Sequence, residues 1–340
     1  MKPLPVLLVA APMRGPSGAR LAPLLKAIAE ICPTRFIVAT ASEADLAPGP
    51  ALSFAAWLDD AALDHVPHLH ILADDGAAAH ALRAALHRPG VTVLEDGGLA
   101  GLHRAMTRDA GQVEPWLRLL ARHHGPAARR LGRAALAGLA TPAQWARMPM
   151  LDAVAEVAPL LVTRSRHALD FLPPGSRAVA LPAGFPAPVS RPGPGRRGLA
   201  LALAHPLSAR ALAPIAEAAA LAGAHCLPWL PGDDLALEAA DAVLALALPF
   251  GATPLQALHQ ALARGLPVLT WEADPAAEIA PPAVTAIAWP AAPSVLAQAI
   301  AALLDEAAPR AVAALHQAAS HTPRDAAAAL LQLVPGCRVG

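Results

Sequence analysis

The stretch Glu238–Glu272, EAADAVLALALPFGATPLQALHQALARGLPVLTWE, decides the fold. It opens with a short apolar run, Asp241 to Leu248, of the kind that forms a strand buried on both faces. Pro249-Phe250-Gly251 breaks the run. From Pro254 onward Leu255, Leu258 and Leu262 recur at helical spacing, with Thr253 placed as N-cap, Pro254 as first helical residue and Gly265 as terminator. Pro267 to Thr270 reads as a second buried strand. Strand, glycine turn, helix and parallel strand make a βαβ unit, whose helix N-terminus offers unpaired N–H groups to an anion.

Outward from this unit the same alternation continues. Leu4–Ala11 is a buried first strand, Pro12–Gly18 a glycine-bearing loop, and a helix runs from about Ala19 to Ile31. Phe36–Thr40 is a second strand, followed by a polar and alanine-rich connection from Glu43 to Leu58. His65–Leu72 carries three histidines, of which His68 and His70 share a strand face. They read either as part of a metal site that needs a third ligand from elsewhere or as strand-end histidines facing a cleft. No carboxylate-rich motif accompanies them, and no metal is expected.

A helix bearing His80, Arg83 and His87 leads to the strand Val91–Leu94, whose end presents Glu95-Asp96-Gly97-Gly98. The carboxyl end of a parallel strand is where ligands of open α/β sheets bind. Glu95 and Asp96 are therefore the catalytic candidates: they orient or deprotonate an acceptor hydroxyl, or they cap the next helix. Pro115–Leu139 is helical and basic, with Arg118, Arg122, Arg129, Arg130 and Arg133, which reads as a solvated face or as contact with anionic lipid. Pro186–Gly198, PAPVSRPGPGRRG, is the clearest linker. It separates an N-terminal domain, 1–185, from a C-terminal domain, 199–340.

Bulk properties narrow the function. The 340 residues suffice for two domains with their own cores. Formal charge is zero, from 26 basic and 26 acidic side chains, so a nucleic-acid partner has no electrostatic footprint. Mean hydropathy is +0.43, but the excess is alanine. There is no uninterrupted apolar run of about 18 residues and no signal-peptide layout, so a cytoplasmic protein is expected. Cys32, Cys226 and Cys337 are far apart and odd in number, suggesting neither a disulfide framework nor a zinc site.

The wording of the central unit, D-A-V-L, then P-F-G-A-T-P-L, then A-L-A-R-G-L-P-V-L, resembles the donor-binding motif of the family 4 (group 1) retaining glycosyltransferases. A second segment, Pro89-Gly90-Val91-Thr92-Val93-Leu94-Glu95-Asp96, resembles the P-G-V-x-V-L-H-D of bacterial members of that family, with Glu95 in place of histidine. Pro182-Ala183-Gly184 is similar to its I-P-H-G segment, with Ala183 in place of histidine. The resemblance implies an α/β, GT-B fold of two Rossmann-like domains facing across a cleft, with the last helix packing back on the N-terminal domain. It implies a nucleotide diphosphate sugar as co-substrate with no further cofactor and a glycan or lipid-linked acceptor; the basic helix, read as a lipid contact, would add peripheral contact with the inner membrane.

Residue by residue, the resemblance places the donor at Gly251, Ala252, Thr253 and Gln260, with Arg210 as the basic residue facing the diphosphate. Gly15, Ser17, Gly18 and His80 become acceptor-side candidates. The two glutamates that hold the nucleotide sugar in that family fall at Ala252 and Gln260, so neither is kept. Gln260 can still hydrogen-bond a ribose hydroxyl, whereas Ala252 cannot hold a sugar hydroxyl. Three functions are consistent with this pattern: a glycosyltransferase of polysaccharide or lipopolysaccharide assembly, a catalytically degenerate relative serving as partner subunit or sugar-binding module, and another two-domain enzyme such as a sugar-nucleotide epimerase.

Overall fold

The computed structural model describes residues 7–139, 148–182, 184–186, 188–189, 197–203, 209–229, 234–246, 255–272, 275–278, 283–288 and 291–337. The chain divides into two compact units, Met1–Gly184 with Pro323–Gly340, and Phe185–Thr322.

The first unit opens with β1 (Leu7–Ala10), α1 (Gly15–Ile31), β2 (Thr34–Val38), β3 (Ala51–Ser53), α2 (Phe54–Asp59), β4 (His68–Leu72), α3 (Ala79–His87) and β5 (Val91–Leu94). It continues through α4 (Ala100–Met106), α5 (Val113–Leu136), α6 (Asp152–Val157), β6 (Leu161–Thr163) and β7 (Ala178–Ala180). The strands are all parallel, in the order β3-β2-β1-β4-β5-β6-β7. Both faces are covered, which is why β1 is apolar at every position. Leu7 and Val9 join Leu21, Leu25 and Ile28 of α1 in one core, and Leu8 and Ala10 join Trp57, Leu82 and Leu102 in the other.

Several details differ from the sequence reading. Pro16 stands in the opening turn of α1, where its fixed φ suits a helix start, so α1 begins at Gly15 and not near Ala19. Gly15, Ser17 and Gly18 thus lie in a helix and not in a loop. The supposed connection before Leu58 contains β3 and α2, pieces too short for periodicity to reveal. The basic helix is broken at Gly125, just before Pro126. His68 and His70 face no cleft: they lie in the buried amino-terminal half of β4, where Trp57 Nε1 donates to His68 Nε2 at 3.2 Å and His70 Nε2 bonds the Arg88 carbonyl at 2.9 Å.

The second unit comprises β8 (Gly198–Leu203), α7 (Ala209–Leu221), β9 (His225–Trp229), α8 (Asp234–Ala239), β10 (Ala242–Leu246), α9 (Leu255–Ala263), β11 (Val268–Trp271), β12 (Val284–Ile287), α10 (Pro293–Asp305) and α11 (Ala307–Ala319). Its parallel sheet has the order β12-β11-β10-β8-β9. The βαβ unit read from the sequence is β10-α9-β11, with Val243 opposite Val268 and Leu244 opposite Leu269. Val243 and Val268 pack with Leu258 and Leu262 of α9, while Leu244, Leu269 and Trp271 pack on the other face with Ile215 and Ile300.

The chain then returns to the first unit. In α12 (Pro323–Gln332), Ala326, Ala327, Leu330 and Leu331 are fully buried in the core that α1 shares with β1. Cys32, which caps the C-terminus of α1, has its sulfur 4.0 Å from that of Cys337, both thiols being free.

Candidate functional site

Strand order locates the place to look. In the first sheet the chain runs outward from β1 through β2 to β3, then starts again on the other side of β1 with β4. The reversal between β1 and β4 is the switch point, where helices leave to opposite faces and open a crevice at the carboxyl ends of the strands. The residues that follow these ends include α1 after β1, Asp74 after β4, Glu95 and Asp96 after β5, and Arg164 after β6.

Asp96 is the centre of the group. Arg20 reaches it from α1, with Nη1 donating to Oδ1 at 3.4 Å and Nη2 to Oδ2 at 3.2 Å. The backbone N–H of Asp74 donates to the same Oδ2 at 2.9 Å. Asp96 is therefore oriented from two sides, yet its side chain stays 27% exposed. That combination suits a carboxylate that meets a ligand hydroxyl.

Asp74 is set deeper. Its Oδ1 accepts from the Leu102 N–H at 2.9 Å, capping α4 from outside, since Leu99 at the N-cap position provides no side-chain bond. Gly101 permits the contact: a Cβ there would stand 2.6 Å from the Asp74 carbonyl oxygen and 3.0 Å from Oδ2. Burial pushes the Asp74 carboxyl up to about 7, with the neighbouring Asp96 acting in the same direction and the α4 amides against it.

Glu95 has a different role from Asp96. It is buried and bound to Arg164, itself 5% exposed, through Nε at 2.8 Å and through Nη2. A carboxylate so committed ties the end of β5 to the end of β6.

On α1, Ser17 stands three residues before Arg20 and so on the same helical face. It is 2% exposed, and its Oγ has no hydrogen-bond partner among the described residues. Gly18 lets the helix sit against the turn before it, since a Cβ would lie 2.4 Å from the Met13 carbonyl carbon. Gly15 begins the helix at φ +70. His80 stands apart: it is buried on α3 and its Nε2 bonds the Ile37 carbonyl at 3.1 Å.

The structure thus joins Asp96 to Arg20 on α1, the helix that also carries Ser17, assigns Glu95 to an ion pair, and keeps His80 inside. Sequence reasoning missed Asp74, Arg20 and Arg164. The signal for Asp74 was present, since Ile71-Leu72-Ala73 ends in an acid as Val93-Leu94 does at β5, but Asp74-Asp75-Gly76 reads simply as a turn.

In the second sheet the corresponding switch point lies between β8 and β10. The residues that follow these strands, 204–208 and 247–254, are outside the described residues, and with them Gly251, Ala252 and Thr253. Gln260 lies half-buried on α9, and Arg210 is in the first turn of α7 with its side chain outside the described set. Among the described residues no group of three or more His, Cys, Asp or Glu is arranged to hold a metal ion, and no helix is long and apolar enough to cross a membrane.

No family model matches the sequence, and no curated protein matches it. Solved structures do share its fold. The glycotransferase of kitacinnamycin is 15% identical, with a TM-score of 0.50 over 98% of this chain and 100% of its own. HepE of Anabaena, crystallised with UDP and glucose, is 12% identical, with a TM-score of 0.53 over 96% of this chain and 97% of its own. The O-GlcNAc transferase of Thermobaculum terrenum, a K341M mutant, is 14% identical, with a TM-score of 0.52 over 97% of this chain and 66% of its own. With two parallel α/β sheets and these neighbours, the fold is GT-B, built from two Rossmann-like units.

Proposed function

We propose that the chain is a retaining glycosyltransferase that moves a sugar from a nucleotide diphosphate sugar to a hydroxyl of a glycan or lipid-linked acceptor, in polysaccharide or lipopolysaccharide assembly. The observation that carries this reading is the oriented yet solvent-reachable carboxylate of Asp96 at the switch point of the first sheet, in a chain with the GT-B fold. The UDP and glucose held by HepE, at the same fold, give the ligand class its support.

In this reading Asp96 orients the acceptor hydroxyl, while Arg20 fixes the direction of its carboxylate. Ser17 supplies a further polar contact. The motif resemblance assigns the donor phosphates to Gly251, Ala252 and Thr253, with Arg210 adding positive charge. Gln260 bonds the ribose. The bond from the anomeric carbon to the phosphate oxygen breaks, the bond to the acceptor oxygen forms, and the hydroxyl proton passes to the leaving diphosphate. Such chemistry depends on donor positioning and leaving-group stabilisation more than on a protein base.

Exposed Arg130 and Arg133 of α5 are followed by exposed Leu136 and Leu139, with Arg118 and Arg122 exposed on the segment before Gly125, a composition that suits peripheral contact with an anionic bilayer on the cytoplasmic side. A second reading is favoured by Ala252 and Gln260: a degenerate relative that keeps the fold as a partner subunit or sugar-binding module.

Thermal unfolding followed during titration with UDP and GDP tests the first reading. A rising midpoint is expected, by mass action on the folded state. No shift with any nucleoside diphosphate at millimolar concentration would end it. With binding in hand, Thr253→Pro should abolish it by removing an amide donor, and unchanged affinity would refute the phosphate site.

A further inference from the structure

We infer that Asp74 is a positioning residue for Asp96, linking the direction of the acceptor-facing carboxylate to the first turn of α4. This rests on the reading of Asp96 as the group that meets the acceptor hydroxyl. The link is continuous: the Leu102 amide holds the Asp74 carboxylate at 2.9 Å, the Asp74 amide holds Asp96 at 2.9 Å, and Arg20 closes the far side from α1. Three elements, α4, the end of β4 and α1, thus fix a single carboxylate. Gly101 is the contact that brings α4 close enough.

Something besides protein is left to satisfy here. Ser17, on the face of α1 that carries Arg20 to Asp96, is 98% buried, and among the described residues neither its hydroxyl nor the buried Nε of Arg20 has a hydrogen-bond partner. Arg20 touches Asp96, and a polyhydroxylated ligand at that pair would supply partners for such donors.

The charge balance makes the link sensitive to a proton. Facing Asp74 are Asp96 on the neighbouring strand end and Arg104 of α4. Asp96 is matched by Arg20, near which Glu95 and Asp75 also lie, and Glu95 is matched in turn by Arg164. Among the described residues no cation lies within ion-pair distance of Asp74, and burial holds its carboxyl up to about 7. Around neutral pH its ionisation places a second negative charge beside Asp96. The Asp96–Arg20 pair is what has to respond.

Two measurements on the full chain test this. In protein labelled with carboxyl-¹³C aspartate, the Asp96 resonance, assigned by its loss in Asp96→Asn, should show an inflection near pH 7 that is absent in Asp74→Asn. An Asp96 resonance with the same titration in both proteins overturns the inference, whatever the activity. The second measurement is release of sugar from UDP-glucose, UDP-galactose, UDP-N-acetylglucosamine and GDP-mannose, with water as acceptor. Asp74→Ala should lower kcat by about 10- to 100-fold with donor KM unchanged, as expected for misplacement of a group near the reacting atoms. Asp74→Asn keeps an oxygen for the Leu102 amide and should recover most of kcat, but with a flat pH dependence around 7. If a donor turns over and these variants match the parent in kcat and pH profile, Asp74 serves only as a helix cap. If nothing turns over and no nucleoside diphosphate binds, the glycosyltransferase reading fails on its own, and the resonance titration still decides the link between the two aspartates.

Discussion

Arg164 points its guanidinium into the interior, where Nε donates to Oε1 of Glu95 at 2.8 Å, and the two side chains are 2% and 6% exposed. A pair so far from water depends on both members. Arg164→Leu should leave an uncompensated buried carboxylate and destabilise the protein by about 3–5 kcal/mol. Replacing both residues with leucine should recover much of that loss. Urea midpoints of the single and double variants check this; equal effects for all three would remove the pair as the cause.

Asp74 should give stability an unusual slope. Its carboxyl moves from 3.8 to about 7 on folding, so between these values the native chain holds a proton that the unfolded chain has released. Stability is fully present below about 4 and falls as pH rises to about 7, by up to about 4 kcal/mol from this group. Asp74→Asn should be relatively more stable than the parent at pH 8 than at pH 4. Unfolding free energies at those two pH values provide the comparison.

Histidines act in the opposite direction. Burial holds His70 down to about 3 and His103 down to about 4, so the native state keeps both neutral while the unfolded state takes up protons below about 6.5. Their contribution is intact above 6.5 and is lost as pH falls toward 4 and below. His103→Gln should reduce the acid dependence measured by denaturant unfolding at pH 7.5, 5.5 and 4.5, and an unchanged dependence would count against this assignment.

Gly18→Ala should displace the opening of α1, because the new methyl would stand 2.4 Å from backbone that cannot yield cheaply. A loss of about 1–3 kcal/mol is expected, read as a lower thermal midpoint. Gly111→Ala serves as a contrast in steric terms, since nothing lies within 4 Å of a Cβ there and only its φ of +82 opposes the change.

The thiols of Cys32 and Cys337 should join under a low-molecular-weight disulfide oxidant, which accepts the two electrons and two protons released. Burial and the adjacent thiol hold Cys337 up to about 12, so the reaction should be slow at neutral pH and faster at alkaline pH. Peptide mapping without reductant should find this link, with Cys226 outside it.

The fold was legible where both faces of a strand are covered. Leu7–Ala11 and Ala242–Leu244 have no polar position because two cores claim alternate residues, and that continuity is visible in sequence. Ala51–Ser53 was hidden because a three-residue edge strand has no period. The site was legible in part: Asp96 follows a strand end that sequence can find, but its partners Arg20 and Asp74 lie 76 and 22 residues away, joined by strand order alone. Glu95 and Asp96 look equivalent as neighbours. Side-chain direction separates them, because residues at adjacent positions leaving a strand point opposite ways.

The return of α12 to α1 bears on how this protein is made. Ribosomes release the N-terminal unit first, yet Ala326, Ala327, Leu330 and Leu331 belong to its core and are translated only after the whole second unit. Until then Leu21, Leu25 and Ile28 lack their cover, and the nascent polypeptide carries an apolar furrow of the kind that chaperones bind. Termination before Ala326 would therefore injure the half of the molecule that was synthesised first.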